Sequence, residues 1–385
     1  MDNIHRLQLL TAQMHLEPSE DTDCFQISPH KSNSIAISYA SQSNGSRIKL
    51  LKTLLTSVCE RNCFYCPFRS GRDFRRATFS PDEFARVFMH LHNIRAVDGI
   101  FLSSGVINGG IFTQDKLIDT AHLLRKKYRF NGYIHLKIMP GAEKTQVEQA
   151  MLLADRVSIN LEAPNTDKLN LLAPGKLFDA ELVQPLKWID EIRQTRTAQN
   201  AWKGYWPSSV TQFVVGAVGD TDLELLSTSQ RLYRQFHLKR AYYSAFSPIL
   251  DTPLENNPPA SPAREHRLYE ASFLLRDYGF DVEDLEYDAS GYLPLDIDPK
   301  LAWAQRNLTQ PVEINRADPV ELLRIPGIGK KSVSAIAAAR RKTPIKSLGE
   351  LRPMGVNIAR AAPFIILNGK LPARQLSFSF NNQFS

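Results

Sequence analysis

Cysteine is scarce in this chain, with four residues among 385. That scarcity excludes a disulfide framework. No apolar run reaches the length of a membrane-spanning helix, and Met1 to Leu10 lacks the layout of a secretory signal. The expectation is a soluble protein of a reducing cytoplasm, with no membrane partner. Excess charge is also modest, at +7, but it is unevenly placed. Between Glu313 and Lys370 eleven Lys and Arg face four acids, so this segment carries the whole excess and the remainder is neutral. A neutral body bearing one basic module points to an anionic polymer as partner.

What the chain does have is three of its four cysteines in one loop, Cys59-Glu-Arg-Asn-Cys63-Phe-Tyr65-Cys66. The fourth, Cys24, reads as a free thiol. Three thiolates presented by so short a loop suit a soft metal centre. A structural zinc would be closed by a fourth Cys or His, and none stands at a paired spacing nearby. A four-iron cubane held by the same three thiolates would keep one iron open for another ligand.

Residues 1–47 are polar and read as an N-terminal extension. From Ile48 strand-like runs alternate with helical ones. The strands are expected at Lys49–Thr53, Gly99–Ser103, Gly132–Ile138, Arg156–Leu161, Thr211–Ala217 and Arg240–Ala245. The helices between them are expected at Pro81–Asn93, Thr113–Arg129, Thr145–Ala154, Ala180–Ala198 and Leu223–Phe236. Six such repeats predict an α/β fold, a partial (β/α)6 TIM-like barrel over 48–250. Loops at the carboxyl ends of its strands would carry the chemistry. Residues 251–312 form a Pro-rich connection, then the helix Arg264–Tyr278 and the segment Leu293–Gln310, both expected to pack back on the barrel.

Residues 313–370 read as a small all-α domain, with 371–385 as a flexible tail. Leu323-Arg-Ile-Pro-Gly327-Ile-Gly329-Lys330-Lys331 gives a helix, a tight turn and a second helix. A degenerate copy follows 28 residues later, with Gly355 aligned to Gly327. This looks like a tandem helix-hairpin-helix domain. In it Gly327 and Gly329 would let the backbone approach a phosphate, and Lys330 and Lys331 would add charge. Such contacts hold DNA without reading its sequence.

The cysteine loop resembles that of the radical S-adenosylmethionine (SAM) superfamily, whose core has the (β/α)6 architecture. The resemblance implies a [4Fe-4S] cluster on Cys59, Cys63 and Cys66, with the open iron chelating SAM. It also implies reductive cleavage of SAM to a 5′-deoxyadenosyl radical, and hence an electron donor. For SAM itself it points to Tyr65, to Ser104 and Gly105 after the second strand, to Asn160 and Glu162 after the fourth, and to Gly216 on the fifth. Lys137, a charge within a buried-strand pattern, would pair with Glu162 or bind a SAM carboxylate or substrate phosphate. Tyr242 and Tyr243 could reach substrate or simply pack. Trp202-Lys-Gly-Tyr-Trp206 falls at the amino end of the barrel and reads as packing.

The motifs together resemble one family, the DNA modification/repair radical SAM proteins. They are the cysteine loop, Arg76-Ala-Thr-Phe-Ser-Pro81, Phe101-Leu-Ser-Ser-Gly105, Gly132-Tyr-Ile-His-Leu-Lys137, Tyr242-Tyr-Ser-Ala-Phe-Ser-Pro248, Leu293-Pro-Leu-Asp-Ile-Asp-Pro299 and the hairpins. That likeness implies DNA as substrate and a uracil-DNA glycosylase-like partner protein. Gln375-Leu-Ser-Phe-Ser-Phe380 is similar to peptides that bind the sliding clamp. Two alternatives stay open: an RNA-modifying radical SAM enzyme, or a non-catalytic DNA-binding protein whose cluster is structural or redox-sensing.

Overall fold

The computed structural model describes residues 2–12, 14, 35–41 and 46–371. Cys24 and the Gln375–Phe380 motif lie outside the described residues. The chain divides into two compact units, Met1–Tyr269 and Glu270–Ser385.

In chain order the first unit contains α1 (Asn3–Thr11), β1 (Ile37–Ser41), β2 (Arg47–Leu54), α2 (Pro81–Asn93), β3 (Gly99–Ser103) and α3 (Gly109–His122). It continues with β4 (Tyr133–Lys137), α4 (Lys144–Leu153), β5 (Arg156–Ser158), α5 (Thr166–Leu172) and α6 (Gln184–Thr195). Then come β6 (Ser208–Val215), α7 (Asp222–Phe236), β7 (Arg240–Ala245) and the start of α8 (Pro262–Asp277). The seven strands form one sheet in sequence order. β2 to β7 are parallel, while β1 pairs antiparallel with β2. Because β1 and β7 do not pair, the barrel stays partial.

Local chemistry explains most of these elements. β3 is buried along its whole length, as expected for a parallel strand covered on both faces. Helix α2 starts at a Ser80–Glu83 capping box with Pro81 in its first turn, and α7 starts at a Thr221–Glu224 box. The six parallel strands stand where the alternation placed them. Three elements were not expected: α1, α5 and the edge strand β1. The N-terminal extension is therefore partly regular, with Leu7 and Leu10 of α1 fully buried. Strand β1 owes its existence to its partner, since an edge strand takes its hydrogen bonds from one neighbour only.

The second unit holds α9 (Pro299–Asn307), β8 (Val312–Glu313), α10 (Pro319–Arg324), α11 (Lys330–Arg340), α12 (Leu348–Leu351), α13 (Ile358–Ala361) and β9 (Ile365–Ile366). Two expectations need correction here. The unit is not all-α, because β8 and β9 form a parallel pair at its base. Within the segment Leu293–Gln310, Ala304, Leu301, Trp303 and Leu308 join the second unit's own core of Ile314, Leu322, Ile336 and Leu351. The apolar face of α9 completes this second core, so the division falls at Tyr269/Glu270 rather than near residue 312.

Lys300 of α9 is an unusual member of that unit. Its ammonium donates to the Ile328 carbonyl at 2.6 Å and lies 4.7 Å from the Tyr278 ring centroid. Burial, helped by the Arg360 charge and opposed by Asp298, pushes its pKa down to about 7 from 10.5. The folded unit therefore binds fewer protons than the unfolded chain between those values, and its stability rises with pH across that window. This contribution is lost as pH falls toward 7. The unit's melting transition should gain about 1 kcal/mol per pH unit between pH 7 and pH 9. Lys300→Met should flatten that slope in calorimetry; an equal slope in both proteins would locate the titration elsewhere.

Candidate metal centre and adjoining cavity

Strand β2 ends at Leu54, and the chain leaves the carboxyl edge of the sheet into the loop of Cys59, Cys63 and Cys66. The loop has no regular structure of its own, and long-range bonds hold it. The Arg76 guanidinium donates to the carbonyls of Ser57, Phe68, Arg69 and Arg72. Phe64 N donates to Leu172 O at 2.8 Å, and Arg61 reaches both Gly175 O and, at 2.6 Å, the Glu181 carboxylate. The segment after α5 thus clamps the cysteine loop from outside. On the inner side, the exit of β3 passes so close that a Cβ on Gly105 would lie 2.1 Å from Val58 O. Only glycine fits there.

The three thiols are free of disulfides. Backbone amides aim at two of them: Val106 N lies 3.4 Å from Cys59 Sγ, and Phe68 N lies 3.4 Å from Cys66 Sγ. Such donors favour the anionic sulfur of a cluster ligand. Burial pushes the Cys63 and Cys66 thiols up, so a cationic centre is what would hold them as thiolates. Among the described residues no three His, Cys, Asp or Glu are gathered to hold one metal ion. A cubane makes no such demand, since each thiolate takes a separate iron. The donor set fits a [4Fe-4S] cluster.

Beside the thiols opens a cavity of about 170 Å³. Of the residues expected to bind SAM, Tyr65, Ser104, Gly105, Lys137, Asn160 and Glu162 all line it together with the three cysteines. Gly216 is outside that lining. It forms a turn at φ +85°, its amide bound to the Asp220 carboxylate at 3.0 Å, and a Cβ there would meet Ala260 at 2.7 Å. Its glycine serves a turn and a close packing contact.

Glu162 is the most constrained polar group of the cavity. Its backbone is left-handed at φ +66°, uncommon for a non-glycine residue. Bonds from Glu162 N to Gln212 O at 2.9 Å and from Val214 N to Glu162 O at 2.8 Å hold it there. Its side chain is buried and ion-paired through Oε1 to Lys176 at 2.9 Å, while Oε2 has no hydrogen-bond partner. Burial raises its pKa, but the Lys176 and Lys137 ammoniums outweigh it and hold the carboxyl below the usual range. An ionised carboxylate with one unmet oxygen in a polar-lined cavity fits a ligand rich in hydroxyl or amino groups, as SAM is.

Sequence reasoning missed Lys176, which is ion-paired to Glu162, while Lys137 acts on the same carboxylate. Lys176 sits in the irregular run Ala173-Pro-Gly-Lys176, where no periodicity marks it, so only the fold brings it to Glu162. Gln212 was also missed, although a polar residue within the buried strand β6 is the cue that singled out Lys137. It accepts from Asn160 Nδ2 at 3.0 Å and lines the same cavity. Tyr242 and Tyr243 are core residues: Tyr243 hydrogen-bonds Ser229 at 2.7 Å, and neither tyrosine lines the cavity. Trp202 packs beneath the buried Arg125, 4.0 Å from its ring centroid.

In the second unit the two turns singled out by the repeat adopt the same conformation, with Gly327 at φ +82° and Gly355 at φ +79°. They are joined directly, Asn357 N donating to Gly327 O at 2.9 Å. A Cβ on Gly327 would lie 2.5 Å from Asn357 O, so this glycine is needed for the turn and for its contact with the second hairpin. Gly329 has ordinary backbone angles and is the N-cap of α11. Lys330 is engaged by Asp277 at 3.0 Å, whereas Lys331 is exposed.

Residues 53–223 match the family model described as the radical SAM superfamily. A search of curated proteins gives no match. Solved structures with similar folds include a methylornithine synthase, at 14% identity over 59% of this chain and 61% of that one, with TM-score 0.46. The FeFe-hydrogenase maturase from Carboxydothermus hydrogenoformans is 16% identical over 59% of this chain and 51% of that one, with TM-score 0.43. A radical SAM methyltransferase from Sphaerobacter thermophilus is 13% identical over 69% and 78%, with TM-score 0.45. The chain spans about half to three fifths of the length of the first two. Members of the superfamily use a [4Fe-4S] cluster and SAM, and those are the cofactors of this domain. Among the described residues no helix is long and apolar enough to cross a membrane.

Proposed function

We propose, from the radical SAM domain that residues 53–223 form, that this chain is a radical SAM enzyme acting on DNA in its repair or modification. The observation that carries the enzymatic part is the single cavity that gathers three thiols, an ionised buried carboxylate and polar strand ends. Cys59, Cys63 and Cys66 would hold the cluster, and Ser104, Asn160 and Glu162 would face SAM. When bound, these cofactors supply a carbon radical able to take hydrogen from an unactivated C–H bond. The chain's own work is to bind, to orient and to exclude water. Lys176 keeps Glu162 ionised, Arg76 and Arg61 fix the cysteine loop, and buried Met139 and Val214 help close the cavity wall.

Support for DNA comes from the second unit. Several of its bases are engaged inside the unit: Lys330 by Asp277, Arg324 by Asp284, and Arg360 by Asp298. Lys331, Arg341, Lys342, Lys346 and Arg352 are exposed. Exposed bases beside glycine turns suit phosphates, with affinity that falls as salt rises. The reconstituted, reduced protein should form 5′-deoxyadenosine faster when DNA is added than when RNA is added. Changing those five bases to Gln should weaken DNA binding and lower the log–log salt slope by about 2 to 4. Equal stimulation by RNA, or an unchanged slope, would remove DNA from this reading.

A further inference from the structure

The first unit carries a local concentration of positive charge in one loop. From Arg61 to Arg76 there are five arginines and one acid, Asp73. Among the described residues only Arg61 is neutralised by an ion pair, to Glu181. The others are held by uncharged groups. Arg76 binds four backbone carbonyls, Arg72 donates to Pro67 O and Leu250 O at 3.0 Å each, and Arg69 donates to Asn62 Oδ1. Carbonyls and amides fix a guanidinium in place without cancelling its charge. Arg75 is exposed and forms no ion pair among the described residues.

Arg69 and Arg72 stand beside the lining of the cavity, and Arg75 follows three residues later in the chain. Pro67 and Phe68 line it, and Arg69 is the next residue. Ile249 also lines it, and the next residue, Leu250, is 76% exposed. Arg72 joins the two segments through Leu250 O. The Phe74 ring backs the array, 4.2 Å from the Arg76 guanidinium carbon and 5.4 Å from that of Arg72. The result is a run of positive charge beside the lining of the cavity, with Arg69, Arg72 and Arg76 held in place by their bonds.

We propose that Arg69, Arg72 and Arg75 seat the phosphodiester backbone of the substrate strand beside this cavity, so that one nucleotide at a time is delivered into it. Arginine forks match phosphate oxygens in pairs. A base inside a duplex cannot enter so enclosed a space, so the seated strand presents an unpaired or extruded nucleotide. The inference rests on the DNA reading above but not on the second unit's bases, and the two are separable.

The test uses the full-length reconstituted protein and a single-stranded DNA oligonucleotide, with affinity measured over a range of salt. Arg69→Gln/Arg75→Gln should lower the log–log slope by about 1.4, at about 0.7 per single-strand phosphate contact, with iron content and melting unchanged. Arg75→Gln alone, which removes no bond among the described residues, should lower it by about half as much and guards against misfolding of the double variant. If both arginine variants keep the wild-type slope while the five-base variant of the second unit lowers it, the arginine inference is overturned and the DNA reading stands. If the wild type binds DNA without salt dependence, both fall.

Discussion

Cys63→Ala is expected to eliminate 5′-deoxyadenosine formation and most of the iron bound on reconstitution. Cys63 is the most buried of the three thiols and the middle anchor of the loop. Losing an outer-shell partner of a metal ligand typically costs about 10- to 100-fold, and losing the ligand itself should exceed that. The loop should survive the change, because Arg76, Arg61 and the Phe64–Leu172 bond hold it from outside. DNA binding should persist as well, since its proposed determinants lie in other side chains. Iron and sulfide analysis, product chromatography and a binding titration on one preparation would check all three. A variant that still cleaves SAM would show that the cysteine loop is not the cluster site. Loss of iron together with loss of DNA binding would instead show a cluster that supports the fold, as the non-catalytic alternative requires.

Lys176→Met is expected to destabilise the first unit by about 3–5 kcal/mol, the usual cost of leaving one member of a buried ion pair behind. Glu162 and Lys176 are 5% and 8% exposed at their side chains, so water replaces little of what is lost. Lys137 acts on the same carboxylate and sets the effect toward the lower end of that range. Glu162→Gln/Lys176→Met removes both charges and should recover a large part of the stability, because a buried amide costs far less than a buried unpaired charge. Calorimetry of the two variants separates the outcomes. A single variant as stable as the wild type would mean that Lys137 alone suffices to hold the carboxylate. A double variant no better than the single one would mean that packing of the Lys176 stem matters more than its charge.

Much of the barrel was legible because a parallel strand buried on both faces has to be apolar throughout. Gly99-Ile-Phe-Leu-Ser103 shows this without reference to anything distant. The α2 boundary was legible for the same local reason: Ser80, Pro81 and Glu83 cap it by themselves. Edge strand β1 lacks such a signature, because its pairing with β2 is a tertiary fact. The unit boundary was misplaced because α9 is amphipathic whichever core it serves. Nothing within Pro299–Asn307 says which one that is.

The same division runs through the site. Cys59, Cys63 and Cys66 were readable because a ligand set within eight residues is a local property, fixed by spacing and by the softness of sulfur. Tyr65 was reachable through the cysteine motif itself, and Ser104, Gly105, Lys137, Asn160 and Glu162 because they end strands whose order the alternation gives. Lys176 and Gln212 reach the cavity from irregular and strand-interior positions, Gly216 proved to serve a turn, and Arg72 reaches Leu250 across 178 residues of chain. The sequence by itself determined the donor atoms and the parallel fold that carries them. Tertiary structure alone decided which charges are paired, which carboxylate keeps an unmet oxygen, and which arginines keep their charge beside the cavity, because pairing and burial depend on what lies within a few ångströms rather than on what is adjacent in the chain.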